Sequence, residues 1–201
     1  MAPMTSYHRA REEDCHELAT LIQMASTGVA EFLFEGLMEG LSPVEIIERG
    51  LKAGVPPNTW QNAWVAGQGG QSAGAILAYP SSFHGITDEL RAFFPPDRLD
   101  HLKDFYAARV ENSLYIDTLS VKEAFRRQGL AKGLIGLVAR EAQRMGLPSL
   151  SLIVFKGNVP ALSLYEAMGF DLVREVRLDP HPRIHYREGC LLLRAPADGV
   201  D

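Results

Sequence analysis

Cysteine is scarce. The 201-residue chain has two, Cys15 and Cys190. They lie far apart and outside any metal-spaced cluster, which argues against a disulfide framework or a cysteine-held metal and for two reduced thiols. Long apolar runs are missing as well: none approaches the ~20 residues of a membrane-crossing helix. The opening stretch MAPMTSYHRAREED holds no apolar signal-peptide core, so a cytoplasmic location is expected. Positive charge is not in excess. Twenty Lys+Arg stand against 25 Asp+Glu, a formal net charge of −5. That balance disfavours generic nucleic-acid binding and mildly favours a small cationic or amine substrate. A Gly-Lys-Ser/Thr phosphate loop is absent, which speaks against a nucleotidase. There are no internal repeats or low-complexity tracts. The 46% apolar and 22% charged residues are ordinary for a globular chain, and this length fits one domain, 1–201, with a real core.

The most informative stretch runs from Leu114 to Gly146. Tyr115, Ile116, Leu119 and Val121 are strand formers. A basic, Gly-bearing turn follows, Arg126-Arg127-Gln128-Gly129-Leu130-Ala131. Leu130, Leu134, Leu137, Val138, Ala142 and Met145 then recur at spacings of three and four, which predicts a helix with one apolar stripe. Gly146 and Pro148 stop it. The first amides of such a helix have no partner inside it and sit at the positive end of its dipole. Gly129 and Ala131 let a bulky anion approach the backbone, and Arg126 and Arg127 add charge. The product is an anion site suited to a phosphate or pyrophosphate. An ordinary turn with a solvated basic pair is the plain alternative.

A second stretch follows the short apolar strand Leu150 to Phe155. In Gly157-Asn158-Val159-Pro160-Ala161-Leu162-Ser163-Leu164-Tyr165-Glu166-Ala167-Met168-Gly169-Phe170, Asn158 is a good cap and Pro160 suits a first helical turn. With both stretches in view, the chain resembles the GNAT superfamily of acyl-coenzyme A-dependent N-acetyltransferases. Arg126, Gly129 and Ala131 match that family's pyrophosphate signature. Asn158, Ala161, Leu164, Tyr165, Gly169 and Phe170 match its later signature in order. The resemblance is strong from about Leu114 to Leu178 and weak before it.

It implies an α/β (α+β) fold, a mixed and mostly antiparallel twisted sheet flanked by helices. It also implies acetyl-coenzyme A as cofactor and a small-molecule or peptide amine as acceptor. The amides and side chains of Arg126, Arg127, Gln128, Gly129, Leu130 and Ala131 would hold the pyrophosphate. The backbone of Leu119, Ser120 and Val121 would meet the pantetheine arm, with one amide facing the acetyl carbonyl. Asn158, Ala161 and Tyr165 would complete the cofactor site, Tyr165 as general acid. Asn158 as a mere cap and Tyr165 as a core aromatic are the plain alternatives. Histone-acetylating relatives carry Glu where Tyr115 stands, so the base must lie elsewhere. Asp117, acting through a water, is two residues on and faces the same side if the strand is regular, an inference a bulge would break. Glu31, Glu35 and His84 are reserve bases, and no metal is implied.

The rest of the chain fills in around this unit. Tyr7-His8-Arg9 reads as a strand, Arg11–Ala25 as a helix, Glu31–Met38 as a small apolar helix or turn, and Ser42 caps a helix running to about Ala53. Phe32, Glu35 and His84 are expected to border the acceptor, although Phe32 and Phe34 also suit a core. Asn62–Ala66 and Ala73–Tyr79 read as a hairpin around Gly67-Gln68-Gly69-Gly70. Pro80–Pro96 reads as irregular and Asp97–Arg109 as an extra helix, a helical insertion at about 80–110 placed to border the acceptor site or an oligomer contact. A homodimer is compatible with this. Leu172–Leu178 and His185–Arg194 read as a last hairpin, with His181 and His185 as solvated loop histidines. Two other readings stand beside the N-acetyltransferase: an acyltransferase using another acyl-coenzyme A, and a catalytically idle acyl-coenzyme A sensor.

Overall fold

The computed structural model describes residues 4–200. Among them, seven strands form one sheet in the order β1-β2-β3-β4-β5-β7-β6. The strands are β1 (Thr5–Arg9), β2 (Ala63–Gln68), β3 (Gln71–Pro80), β4 (Ser113–Val121), β5 (Ser149–Phe155), β6 (Asp171–Val176) and β7 (Cys190–Pro196). Only β4 and β5 run parallel; every other pair is antiparallel. The parallel pair requires a crossover, which α7 (Leu130–Arg144) supplies. β1 and β6 are the edges and are largely exposed.

Helices cover both faces. On one, α7 buries Leu130, Leu134, Ile135, Val138, Ala139 and Ala142 against the sheet, while Met145, expected in the stripe, is exposed at its end. α8 (Val159–Ala167) adds Tyr165 to that face. On the other, α1 (Cys15–Ser26) buries Cys15, Leu18, Ala19 and Leu21, and α3 (Pro43–Ala53) buries Ile46, Ile47 and Leu51. The start of α3 follows its sequence: the Ser42 hydroxyl accepts from the Glu45 amide, and the Glu45 carboxylate accepts from the Ser42 amide. α2 (Val29–Phe34) follows α1 in the chain and buries Ala30 and Leu33. Cys15 and Cys190 are buried free thiols. No helix among the described residues is long and apolar enough to cross a membrane.

Three expectations are corrected. The first hairpin turns on Gly69 and Gly70 alone, both at positive φ (59° and 80°), so Gly67 and Gln68 belong to β2. The insertion is not one helix over Asp97–Arg109 after an irregular stretch. It comprises α4 (Asp88–Phe93), capped by Thr87, then α5 (Pro96–His101) and α6 (Lys103–Tyr106). Pro95-Pro96 forces a new start, and Leu102 at φ −99°, ψ 9° breaks the continuation. Its apolar side chains pack with Leu33, Phe155, Val176 and Leu192 rather than forming one stripe. The last hairpin is likewise shorter at its second strand, because turns occupy the chain up to Gly189, which has φ 80°.

Candidate active site

The site is organised by an irregularity in β4. Ala78 pairs with Ile116 and Leu77 with Thr118, which leaves Asp117 as an extra, bulged residue. The bulge shifts the alternation of the strand. Leu114 and Ile116 before it, and Leu119 and Val121 after it, all pack on the α7 side. Asp117 is exposed. One of its carboxylate oxygens accepts from the Tyr79 hydroxyl at 2.8 Å and the other from the Thr118 hydroxyl at 3.1 Å. The Tyr79 ring lies 5.6 Å from that of Tyr115 in the core under α1. Asp117 therefore reaches the face of Tyr115 even though the strand is not regular.

Beyond the bulge the sheet opens. β4 and β5 pair only from Ser113↔Ser149 to Ile116↔Leu152. β4 then continues on β3 and β5 on β7. Alternate amides in an antiparallel ladder point to opposite sides. The Lys122 amide donates to the Ala73 carbonyl at 2.9 Å, toward β3. Those of Val121 and Leu119 accordingly point away from β3, into the gap. Ser120 pairs toward Ala75 and its side chain is buried, so of the three residues only Leu119 and Val121 offer backbone to the gap.

The basic turn lies at the end of this strand. Gly129 caps α7 in the left-handed region at φ 83°, and no side chain caps the helix. The first helical bond is Gly133 N–H to the Gly129 carbonyl, 3.0 Å, so the amides of Leu130, Ala131 and Lys132 have no partner in the helix. Nothing lies within 4 Å of where a Gly129 side chain would project. Arg126 donates to the Val121 carbonyl at 3.1 Å, while Arg127 is exposed at φ 58°. Leu130 buries its side chain in the core, leaving only its backbone to a ligand.

On α8, Asn158 is a cap: its side-chain oxygen accepts from the Ala161 amide at 3.3 Å. Tyr165 is buried and 5.5 Å from the Phe170 ring, and burial raises the pKa of its phenol. Of the acceptor-side expectations, His84 is at the centre. Its ring stacks 4.2 Å from Tyr115, and its Nε2 bonds the Phe105 carbonyl at 3.1 Å. That donation leaves Nδ1 as the lone-pair nitrogen, buried and without a partner. Desolvation lowers the His84 pKa, against opposing contributions from the Phe105 bond and Asp117. Phe32 instead packs 4.4 Å from His181 and 5.0 Å from His101, and Glu35 is paired with Arg183. Both are committed to the connection between β6 and β7. Glu31 accepts from Gln23 at 2.7 Å. Sequence reasoning missed Tyr79 and Tyr106, whose phenol pKa values are raised by burial and by Asp117. Nothing local to either residue marks it; only the fold brings them to Asp117.

The arrangement defines a class: an α/β domain with an open strand edge running into an uncapped, basic helix N-terminus. A profile of the acetyltransferase (GNAT) family matches residues 51–170, more than half of the chain. The chain belongs to that family, whose acyl donor is acetyl-coenzyme A. It is 30% identical over 102 residues to an L-ornithine N5-acetyltransferase of Arabidopsis thaliana, covering 46% of this chain and 45% of that one. It is 30% identical over 78 residues to the [ribosomal protein bS18]-alanine N-acetyltransferase of Escherichia coli strain K12, covering 39% and 52%. The chain thus spans about half the length of these curated relatives. An N-acetyltransferase from Staphylococcus aureus Mu50 superimposes with a TM-score of 0.66 at 20% identity, covering 94% of this chain and all of that one. A further acetyltransferase crystal structure gives 0.67 at 22%, covering 96% and 99%. These likenesses establish the fold.

Proposed function

We propose that the protein is an N-acetyltransferase that moves an acetyl group from acetyl-coenzyme A to a primary amine of a small molecule or peptide by direct attack. The observation that carries this is the gap between β4 and β5, with the Leu119 and Val121 backbone turned into it and the open amides of α7 near the end of the same strand. These residues fit the cofactor. Unpaired amides and the open space beside Gly129 suit a diphosphate, and an unpaired strand edge suits an amide-bearing arm.

Bound there, the cofactor supplies an acetyl group activated as a thioester. The amides of Leu130 and Ala131 and the Arg127 guanidinium would hold its diphosphate. Arg126 is occupied with the Val121 carbonyl and orders the turn. Asp117, exposed and held by Tyr79 and Thr118, accepts the amine proton, directly or through a water. Tyr165 keeps its proton at neutral pH, because burial raises its pKa, and holds it for the leaving thiolate. The relatives named for ornithine and for a protein alanine support amines of both sizes as acceptors.

The test is turnover of acetyl-coenzyme A over a panel of diamines, amino acids and peptides with free N-termini, beside calorimetry with coenzyme A. Turnover on any class supports the reading. Coenzyme A binding without turnover on any of them would leave a binding module.

A further inference from the structure

We propose that Gln68, at the far end of the first hairpin, is a positioning residue for the phosphate-binding turn. This rests on the reading above that the turn around Gly129 holds the cofactor diphosphate.

Gln68 is a buried polar residue on β2, 7% exposed, and 60 positions from the turn in sequence. Its side-chain amide nitrogen donates to the Gln128 side-chain oxygen at 2.9 Å. The Gln128 amide nitrogen in turn donates to the Ala124 carbonyl at 3.3 Å. The carboxamide of Gln128 is thus held from both ends, once by the sheet and once by the start of its own loop. Its two neighbours in the chain are left-handed: Arg127 at φ 58° and Gly129 at φ 83°. A non-glycine residue in that region is strained and persists only where its surroundings hold it. Gln128 is the residue between these two positions, so fixing its side chain fixes the direction in which the following amides point.

The edge strand β1, paired with β2, braces the helix behind the turn. Tyr7 of β1 lies so close to Gly133, in the first turn of α7, that a β-carbon there would stand 2.2 Å from its hydroxyl. Arg9 lies over the Trp64 ring at 3.9 Å and reaches Glu141 of α7 at 2.9 Å. The helix is therefore seated on β1 and β2 independently, and the Gln68 contact acts on the turn alone.

The variant Gln68→Met keeps the length and burial of the side chain and removes its donor. Its affinity for coenzyme A should fall about three- to tenfold, the scale of one hydrogen bond. Its affinity for pantetheine, which lacks the phosphates, should not change, nor should the KM for the amine. Gln128→Met cuts the same bond and its own bond to the Ala124 carbonyl, so it should lose at least as much, and adding Gln68→Met to it should cost nothing further. Wild-type protein that binds coenzyme A and pantetheine equally would remove the diphosphate from the turn and sink both readings. A wild-type preference for coenzyme A that survives in Gln68→Met would overturn the positioning role alone. Equal losses for both ligands would also overturn it, showing that Gln68 supports the fold at large.

Discussion

At the scale of the residue, the two side chains proposed as acid and base, Tyr165 and Asp117, sit in opposite environments. Tyr165 is enclosed by core and its pKa is raised, whereas Asp117 is exposed at a bulge and accepts two hydroxyl bonds. A phenol that stays protonated can serve a departing thiolate, and general acid assistance is typically worth about 10²–10⁴-fold. Tyr165→Phe keeps the ring on Phe170 and removes only the hydroxyl, which makes no hydrogen bond that adds to its pKa shift. It should lower kcat at least about tenfold with coenzyme A affinity and melting temperature nearly unchanged. A variant that melts lower while kcat holds would make Tyr165 a core residue. Asn158 shows how a motif residue can satisfy its plainest role: the bond to the Ala161 amide is a helix cap, as its place before Val159-Pro160 in the sequence indicates.

At the scale of the element, two joints tie the α1–α2 link and the insertion to the rest of the fold. Gly28, between α1 and α2, has φ 102°, and a β-carbon on it would meet the Arg183 carbonyl oxygen at 1.8 Å. Backbone cannot move aside as a side-chain tip can. Gly28→Ala should cost about 3 kcal/mol or more in denaturant unfolding; a loss under about 1 kcal/mol would show that the Thr27–Gly28 link moves independently of the 181–185 segment. The second joint is His84, which ties the insertion to β4 through Tyr115 on one side and the Phe105 carbonyl on the other. A bound amine acceptor should accordingly slow hydrogen exchange between residues 81 and 106. Unchanged protection there, with acceptor bound, would separate the insertion from the acceptor site.

At the scale of the whole molecule, acid should destabilise the protein in two stages. The His84 pKa is depressed by burial, so the unfolded chain binds its proton first, and stability present above about pH 6.5 is lost as pH falls below it. The Glu141 pKa is lowered to about 2 by its bonds from Arg144 and then Arg9, opposed by desolvation. Its contribution is present above the ordinary carboxylate pKa and is lost between about pH 4.5 and 2. Unfolding midpoints measured from pH 7 to pH 3 should fall in both windows. His84→Gln should flatten the upper window and Glu141→Gln the lower; parallel curves for wild type and variants would show that other groups carry the dependence. The chain's local instructions are legible in its residues. Ser42 and Glu45 begin α3, the existence of the first hairpin though not the bounds of its turn is written in its glycines, and the strand, the turn at Gly129 and α7 follow from pattern, because each depends on neighbours within a few positions. The two signature stretches likewise pointed to the family without a structure. What only the tertiary structure decided depends on distant partners. The bulge at Asp117 comes from pairing with β3, some 38 residues back. The insertion breaks into three short helices because its apolar residues answer to α2, β5, β6 and β7 rather than to one helical face. Gln68 reaches Gln128 because the sheet brings the end of β2 to the start of α7. No local spacing encodes such contacts, since they form only when the separate cores under α1 and α7 close on the same sheet.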